Sequence, residues 1–178
     1  MDLGVVSVRY ARALLKSAVA MKLDTQVYAD MQMLTASYIN VPQLRFTIDN
    51  PMLAKEQKQS LLEIACGKKP AELSKRFIAL VLEEGRENAL QLMANSFVTL
   101  YRQQKNITRG RLITATVVSP ETEAKMKQMV ETKTQGTVEF ETEINPDLIG
   151  GFILEYDTYR MDSSVKSKLN AILSRLKK

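Results

Sequence analysis

Near Ile107 the hydrophobic period of the chain changes from 3.6 to 2, and that change limits the fold more than any other feature. Before it, apolar residues recur at helical spacing. After it, short stretches of β-branched and alternating residues are mixed with helical ones. A chain patterned this way predicts an α+β protein of two parts, with residues 1–105 helical and residues 106–178 mixed. No Pro/Gly-rich linker separates the parts, and they share no internal repeat.

The first part divides at proline and glycine. "VSVRYARALLKSAVAMK" opens it, with Arg9, Arg12 and Lys16 on one stripe and apolar or small residues on the rest. That apolar arc is about 260° wide, far more than the ~100° needed to face a single core. The helix is therefore either central in a bundle or leaves a flank for a partner. A second helix runs from Asp24, a plausible cap, to Ile39, with Val27, Met31, Leu34 and Tyr38 in register. A short helix lies between Pro42 and Pro51. "PMLAKEQKQSLLEIACG" and "KPAELSKRFIALVLEEG" follow, ending at Gly67 and Gly85. "RENALQLMANSFVTLYRQQKN" is read as the last and longest helix. The expectation is a six-helix bundle.

The second part reads as β-α-β-β-α. "RGRLITATVV" places Ile113, Ala115 and Val117 on one face. Ser119 and Pro120 start a helix carrying Met126, Met129, Val130 and Lys133. "TVEFETEI" alternates, with Val138, Phe140, Thr142 and Ile144 inward and three glutamates outward. "GGFILEYDTY" is taken as one strand with Phe152, Leu154 and Tyr156 buried. Asp162 or Ser163 caps a closing helix striped by Val165, Leu169, Ile172, Leu173 and Leu176.

Several kinds of chemistry are excluded by what the chain lacks. It has no histidine and one cysteine, Cys66, so a catalytic imidazole, a Cys–His pair, a zinc cluster and an internal disulfide are all ruled out. GxxxxGK[ST] and GxGxxG are absent. Gly150 and Gly151 precede a strand, whereas a phosphate cradle runs directly into a helix N-terminus. They are read as marking a bulge or a close backbone approach. No catalytic residue, metal or cofactor is expected. The net charge of +5 is dispersed, with 14 basic and 10 acidic residues before position 106 and 11 and 10 after it. Such mixing is a weak sign of nucleic-acid binding. The longest apolar run, "FIALVL", is too short to span a bilayer, and "MDLGVVSV" lacks the basic region of a secretory signal.

"NPDLIGGFILEYDTYRMDSSVKSKL" resembles the C-terminal signature of the delta subunits of F-type ATP synthases, the oligomycin-sensitivity-conferring protein family. Leu148, Ile149, Gly150, Gly151, Asp162, Ser164 and Val165 carry the likeness. "RYARALLKSA", "NPMLAKEQKQSLLEIAC" and "RFIALVLEEGRENALQLM" resemble the family's first, fourth, and fifth-to-sixth helices, in order. The chain departs from the family pattern at Asp157-Thr158, Ser163 and Glu155.

The resemblance implies a non-catalytic stator subunit for ATP synthesis and proton transport. Its helical part would grip the N-terminal segments of alpha subunits, and its second part the C-terminal end of the b-subunit stalk. The resemblance also implies a monomer within a hetero-oligomer, at the cytoplasmic face of a bacterial inner membrane, associated with the membrane only through its complex. By family position, an alpha helix would lie against Tyr10, Ala13, Leu14 and Ser17 of helix one and Phe77, Leu80 and Val81 of helix five. The alternative is that these side chains fill the core. Val165, Leu169, Ile172 and Leu176 are the stalk candidates, unless that stripe covers the small sheet. An RNA-binding adaptor is the competing reading, on "TRGRL" and the basic tail "SRLKK"; the stator reading involves no nucleic acid.

Overall fold

The computed structural model describes residues 3–134, 136–156 and 158–176. Asp157 and the last two residues of the basic tail lie outside the described residues, as does the Lys133 side chain. The chain divides into two compact units, Met1–Gln103 and Gln104–Lys178.

Six α-helices occupy the region up to Lys105: α1 (Leu3–Ala20), α2 (Asp24–Asn40), α3 (Pro42–Asp49), α4 (Lys55–Ala65), α5 (Glu72–Glu83) and α6 (Leu90–Lys105). The expected register of α2 is found, with Val27, Met31, Leu34 and Tyr38 all buried. Three local expectations are corrected. Leu23 is the residue that flanks α2, and Asp24 sits in the first turn, where a carboxylate favours the helix dipole. A separate 3-10 turn, Glu87–Ala89, precedes α6, so α1, with 18 residues, is the longest helix. α1 buries a narrow stripe of Val6, Ser7, Ala11, Leu14 and Ala18, which resolves the wide arc as one core face with open flanks.

Polar ties fix the helices against one another. Asp30, buried on α2, accepts hydrogen bonds from Ala71 N (2.8 Å) and Ser74 Oγ (2.6 Å) at the start of α5. A carboxylate there satisfies one donor of the helix end and fixes where α5 begins. Lys58, buried on α4, reaches Glu87 at 2.8 Å. Tyr28 and Tyr101 stack with ring centroids 4.2 Å apart. Around these ties lies a core of Phe97, Met31, Leu34, Ile48, Leu62, Ile78, Leu90 and Met93.

The second unit contains β1 (Ile107–Thr114), α7 (Pro120–Thr134), β2 (Thr137–Ile144), a 3-10 turn (Pro146–Leu148), β3 (Phe152–Tyr156), β4 (Tyr159–Asp162) and α8 (Val165–Leu176). The strands form one sheet in the order β2-β1-β3-β4. β1 and β2 are parallel, joined through α7, and the other two pairings are antiparallel. On one face Leu112, Val138 and Leu154 pack with Val130 of α7, and Met126, Phe140, Phe152, Tyr156 and Met161 surround them.

Four expectations for this unit are corrected. The single strand expected over "GGFILEYDTY" is a hairpin of β3 and β4, so the order is β-α-β-β-β-α. β1 ends at Thr114, leaving Val117 exposed; Ile113 and Ala115 do share a core face, with Leu148 and Ile153, while Leu112 fills the α7-facing core. β2 is an edge strand paired with β1 along its whole length, and only its first half is covered: Val138 is buried, whereas Thr142 and Ile144 are exposed. Finally, the α8 stripe does not cover the sheet: every residue of α8 is exposed.

Candidate functional site

Two helices form the walls of an apolar groove in the first unit. α1 presents Tyr10, Ala13, Leu14 and Ser17 at i, i+3, i+4 and i+7, and α5 presents Leu73, Phe77 and Leu80 at i, i+4 and i+7. Tyr10, Ala13, Leu14, Ser17, Phe77 and Leu80 line one concavity of about 400 Å³, together with Arg9, Leu73 and Arg76. Ala13 and Ser17 are exposed, so the α1 backbone can be approached closely there. Leu14 and Phe77 are buried at the floor, and each serves the core and the groove at once. Val81 is the exception. It is 0% exposed and absent from the lining, so it belongs to the core.

Tyr10 is held in place from the side. Its ring meets Phe77 edge-on at 6.4 Å, an arrangement favoured by the ring quadrupoles. Arg86 lies 5.4 Å over the same ring and donates from Nη1 to the Tyr10 hydroxyl at 2.9 Å. Arg86 is itself placed by its backbone, which donates to Val81 O at 3.0 Å just after Gly85 turns at φ +62°. Sequence reasoning missed Arg86, Arg9, Leu73 and Arg76. The Gly-Arg junction after α5 was the available signal for Arg86, and helical spacing from Phe77 was the signal for Leu73.

The second unit brings its four signature residues together. Val165 N donates to Gly150 O (2.9 Å) and Ser163 N to Phe152 O (2.9 Å), binding the start of α8 to the start of β3. Gly151 has φ +76°, and a Cβ there would lie 2.4 Å from Ser163 O. The pair is therefore a close crossing of two backbones. Asp162 Oδ1 accepts from Ser164 N (2.9 Å) and Ser164 Oγ (2.6 Å), and Oδ2 accepts from Ser167 Oγ (2.7 Å). The hydrogen bonds from Ser164 and then Ser167 hold the Asp162 carboxyl down at about 2. Ser164 Oγ in turn accepts from Ser167 N at 3.2 Å, so Ser164, rather than Asp162 or Ser163, caps α8.

Beyond this cap α8 stands open, with Val165, Leu169, Ile172, Leu173 and Leu176 from 37% to 78% exposed. Charged residues occupy much of the sheet face turned away from α7. There Arg109 pairs with Glu141, Arg111 with Glu143, and Arg160 with Glu155. Cys66 is buried, and burial followed by the nearby Asp30 and Glu63 pushes its thiol up to about 12, which makes it a poor nucleophile. Among the described residues no group of three or more Cys, Asp or Glu is placed to hold a metal ion.

These features define a class: an α+β protein in two units, with an apolar groove between two helices and a bare amphipathic helix at the far end of the chain. The chain belongs to the family described as ATP synthase delta (OSCP) subunit, whose sequence profile matches residues 6–176. It is 45% identical over 173 residues to an ATP synthase subunit delta from Phocaeicola vulgatus, covering 97% of this chain and 94% of that protein. It is 39% identical to the subunit delta of Parabacteroides distasonis, over 99% and 98% of the two chains. Its fold is also similar to a chain in a Toxoplasma gondii mitochondrial ATP synthase hexamer. The TM-score is 0.64 at 21% identity, with 97% of each chain covered.

Proposed function

We propose that the protein is the non-catalytic stator subunit of an F-type ATP synthase. In this reading the first unit holds the N-terminal segments of alpha subunits, and the second holds the C-terminal end of the b-subunit stalk. The joint resists rotation of the catalytic headpiece, so that proton flow is coupled to ATP synthesis. The protein acts as a monomer within the hetero-oligomer, peripherally at the cytoplasmic face of a bacterial inner membrane.

The observation that carries this reading is the groove between α1 and α5. It is apolar, open along two helices, and floored by buried Leu14 and Phe77. An amphipathic helix laid in such a groove buries its i, i+3, i+4, i+7 anchors while its polar face stays in water. Small Ala13 and Ser17 let the helix come close, and Tyr10, oriented by Arg86, is a natural anchor contact. Among the described residues no helix is long and apolar enough to cross a membrane, in keeping with attachment through partners. The pairing of Arg109 and Arg111 with glutamates takes away the basic surface that "TRGRL" would offer to RNA.

The test is calorimetric titration of the full chain with a peptide of about twenty residues from the N-terminus of the same organism's alpha subunit. Saturable binding that persists at high salt and weakens at least about tenfold in Tyr10→Ala or Leu80→Asp is expected. A folded protein that takes up no peptide would rule out the groove.

A further inference from the structure

The bare helix α8 carries a pattern that describes its partner. Val165, Leu169, Ile172 and Leu176 are spaced by 4, 3 and 4, the d-a-d-a seam of a heptad repeat, and all four are exposed. In that register Lys166 falls at e, and Lys168 and Arg175 fall at g. These are all the charged residues of α8, and none is acidic. The positions opposite the seam, b, c and f, are Asn170, Ala171, Ser167 and Ser174, all uncharged. A helix that merely faces water places its charges on the side away from the apolar stripe. Here they flank the stripe, where charges in a two-helix seam meet those of the partner.

The local structure agrees. The helix is fastened at its first turn, through Val165 N to Gly150 O and Ser167 Oγ to Asp162 Oδ2. Its f-position serine faces its own unit, and the seam remains open. Among the described residues none of the three cations forms an ion pair, whereas the arginines of β1 and β4 are all matched with glutamates. A twelve-residue helix with no covered face gains little stability alone, so a partner helix is needed to complete it.

We propose that α8 is one strand of a heterotypic two-helix seam, whose other strand is an amphipathic helix with apolar a and d positions and acidic e and g positions. This rests on the stalk-binding role proposed above and narrows it to a charge-coded register. A second copy of α8 offers only further cations, which repel across the seam.

The experiment uses the full chain and two synthetic 21-residue helices with identical Ile/Leu seams, one with Glu at every e and g and the other with Lys. Binding is followed by fluorescence anisotropy at low and high salt. The Glu helix is expected to bind at least about tenfold more tightly than the Lys helix at low salt, with the gap closing as salt rises. The K166E/K168E/R175E variant should reverse that preference without loss of fold, because all three side chains are exposed. Equal binding of both peptides, or a preference unmoved by the triple variant, would overturn the proposal. So would a protein that sediments as a dimer and becomes monomeric in Leu169→Glu. The C-terminal segment of the same organism's b subunit is titrated in parallel. If it binds the wild type and the triple variant equally, the charge code fails and the stator role stands. If the Glu helix binds and the b segment does not, the stalk reading fails and the helix chemistry stands.

Discussion

Gly151 sits where two backbones cross, and no other residue type fits there. Its φ of +76° is open to glycine and strained for any side chain, and a Cβ would lie 2.4 Å from a backbone oxygen, that of Ser163. Gly150, next to it, has an ordinary φ, and its Cβ would meet the Val165 side chain at 3.1 Å. The two alanine variants should therefore separate. Gly151→Ala is expected to lose about 2–4 kcal/mol, combining strain with a displaced backbone. Gly150→Ala should lose about 1 kcal/mol, since Val165 can turn aside. Urea unfolding of the two variants decides this, and a Gly151→Ala protein as stable as the wild type would contradict the crossing. The adjacent glycines before a strand pointed to a bulge or a close approach, and the structure shows the close approach. What they met, the Asp162–Ser164 turn a dozen residues on, came into view only when β4 brought the chain back.

At the scale of elements, several helices were legible from their punctuation: Pro42 at the first position of α3, Gly67 after α4, Gly85 after α5. β4 was not legible, because "ILEYDTYRMD" reverses direction without a glycine or proline and reads as one extended run. The α8 stripe was seen correctly as apolar. Its exposure was not, because periodicity says that a face exists and not what covers it. The groove shows the same limit residue by residue. Leu80 and Val81 are neighbours in a helical run and both are interface candidates, yet Leu80 is 47% exposed and Val81 is 0%. The consequence is measurable. Val81→Ala should cost about 2–3 kcal/mol of folding stability by leaving a cavity. Leu80→Ala should stay within about 0.5 kcal/mol of wild type, and its effect should fall on peptide binding instead. Thermal unfolding and peptide titration of the same two proteins would reveal the opposite assignment if the effects were exchanged.

At the scale of the whole molecule, the question is why one small chain has both a groove and an open helix. In the stator role proposed above, a joint that holds against a turning rotor needs nanomolar binding or better, about 12 kcal/mol. Four apolar anchors in a groove contribute roughly 6–12 kcal/mol gross, and association costs about 4 kcal/mol or more. One contact is therefore marginal. If the headpiece binds through the groove and the stalk through α8, the two partners belong to one assembly, and the second contact forms at an effective concentration of order millimolar. Two contacts of micromolar strength then multiply to a nanomolar hold. The expected outcome is symmetric: disrupting the groove with Leu80→Asp, or the seam with Leu169→Asp and Ile172→Asp, should each speed loss of the protein from the assembled complex by about 10²–10³-fold. Because these positions are exposed, the chain should stay folded in both cases. Dissociation on dilution, followed with labelled protein, distinguishes the possibilities. Unchanged retention in the seam variant would mean that the groove alone carries the joint. The apolar arithmetic would then have to be made up by contacts outside α1 and α5.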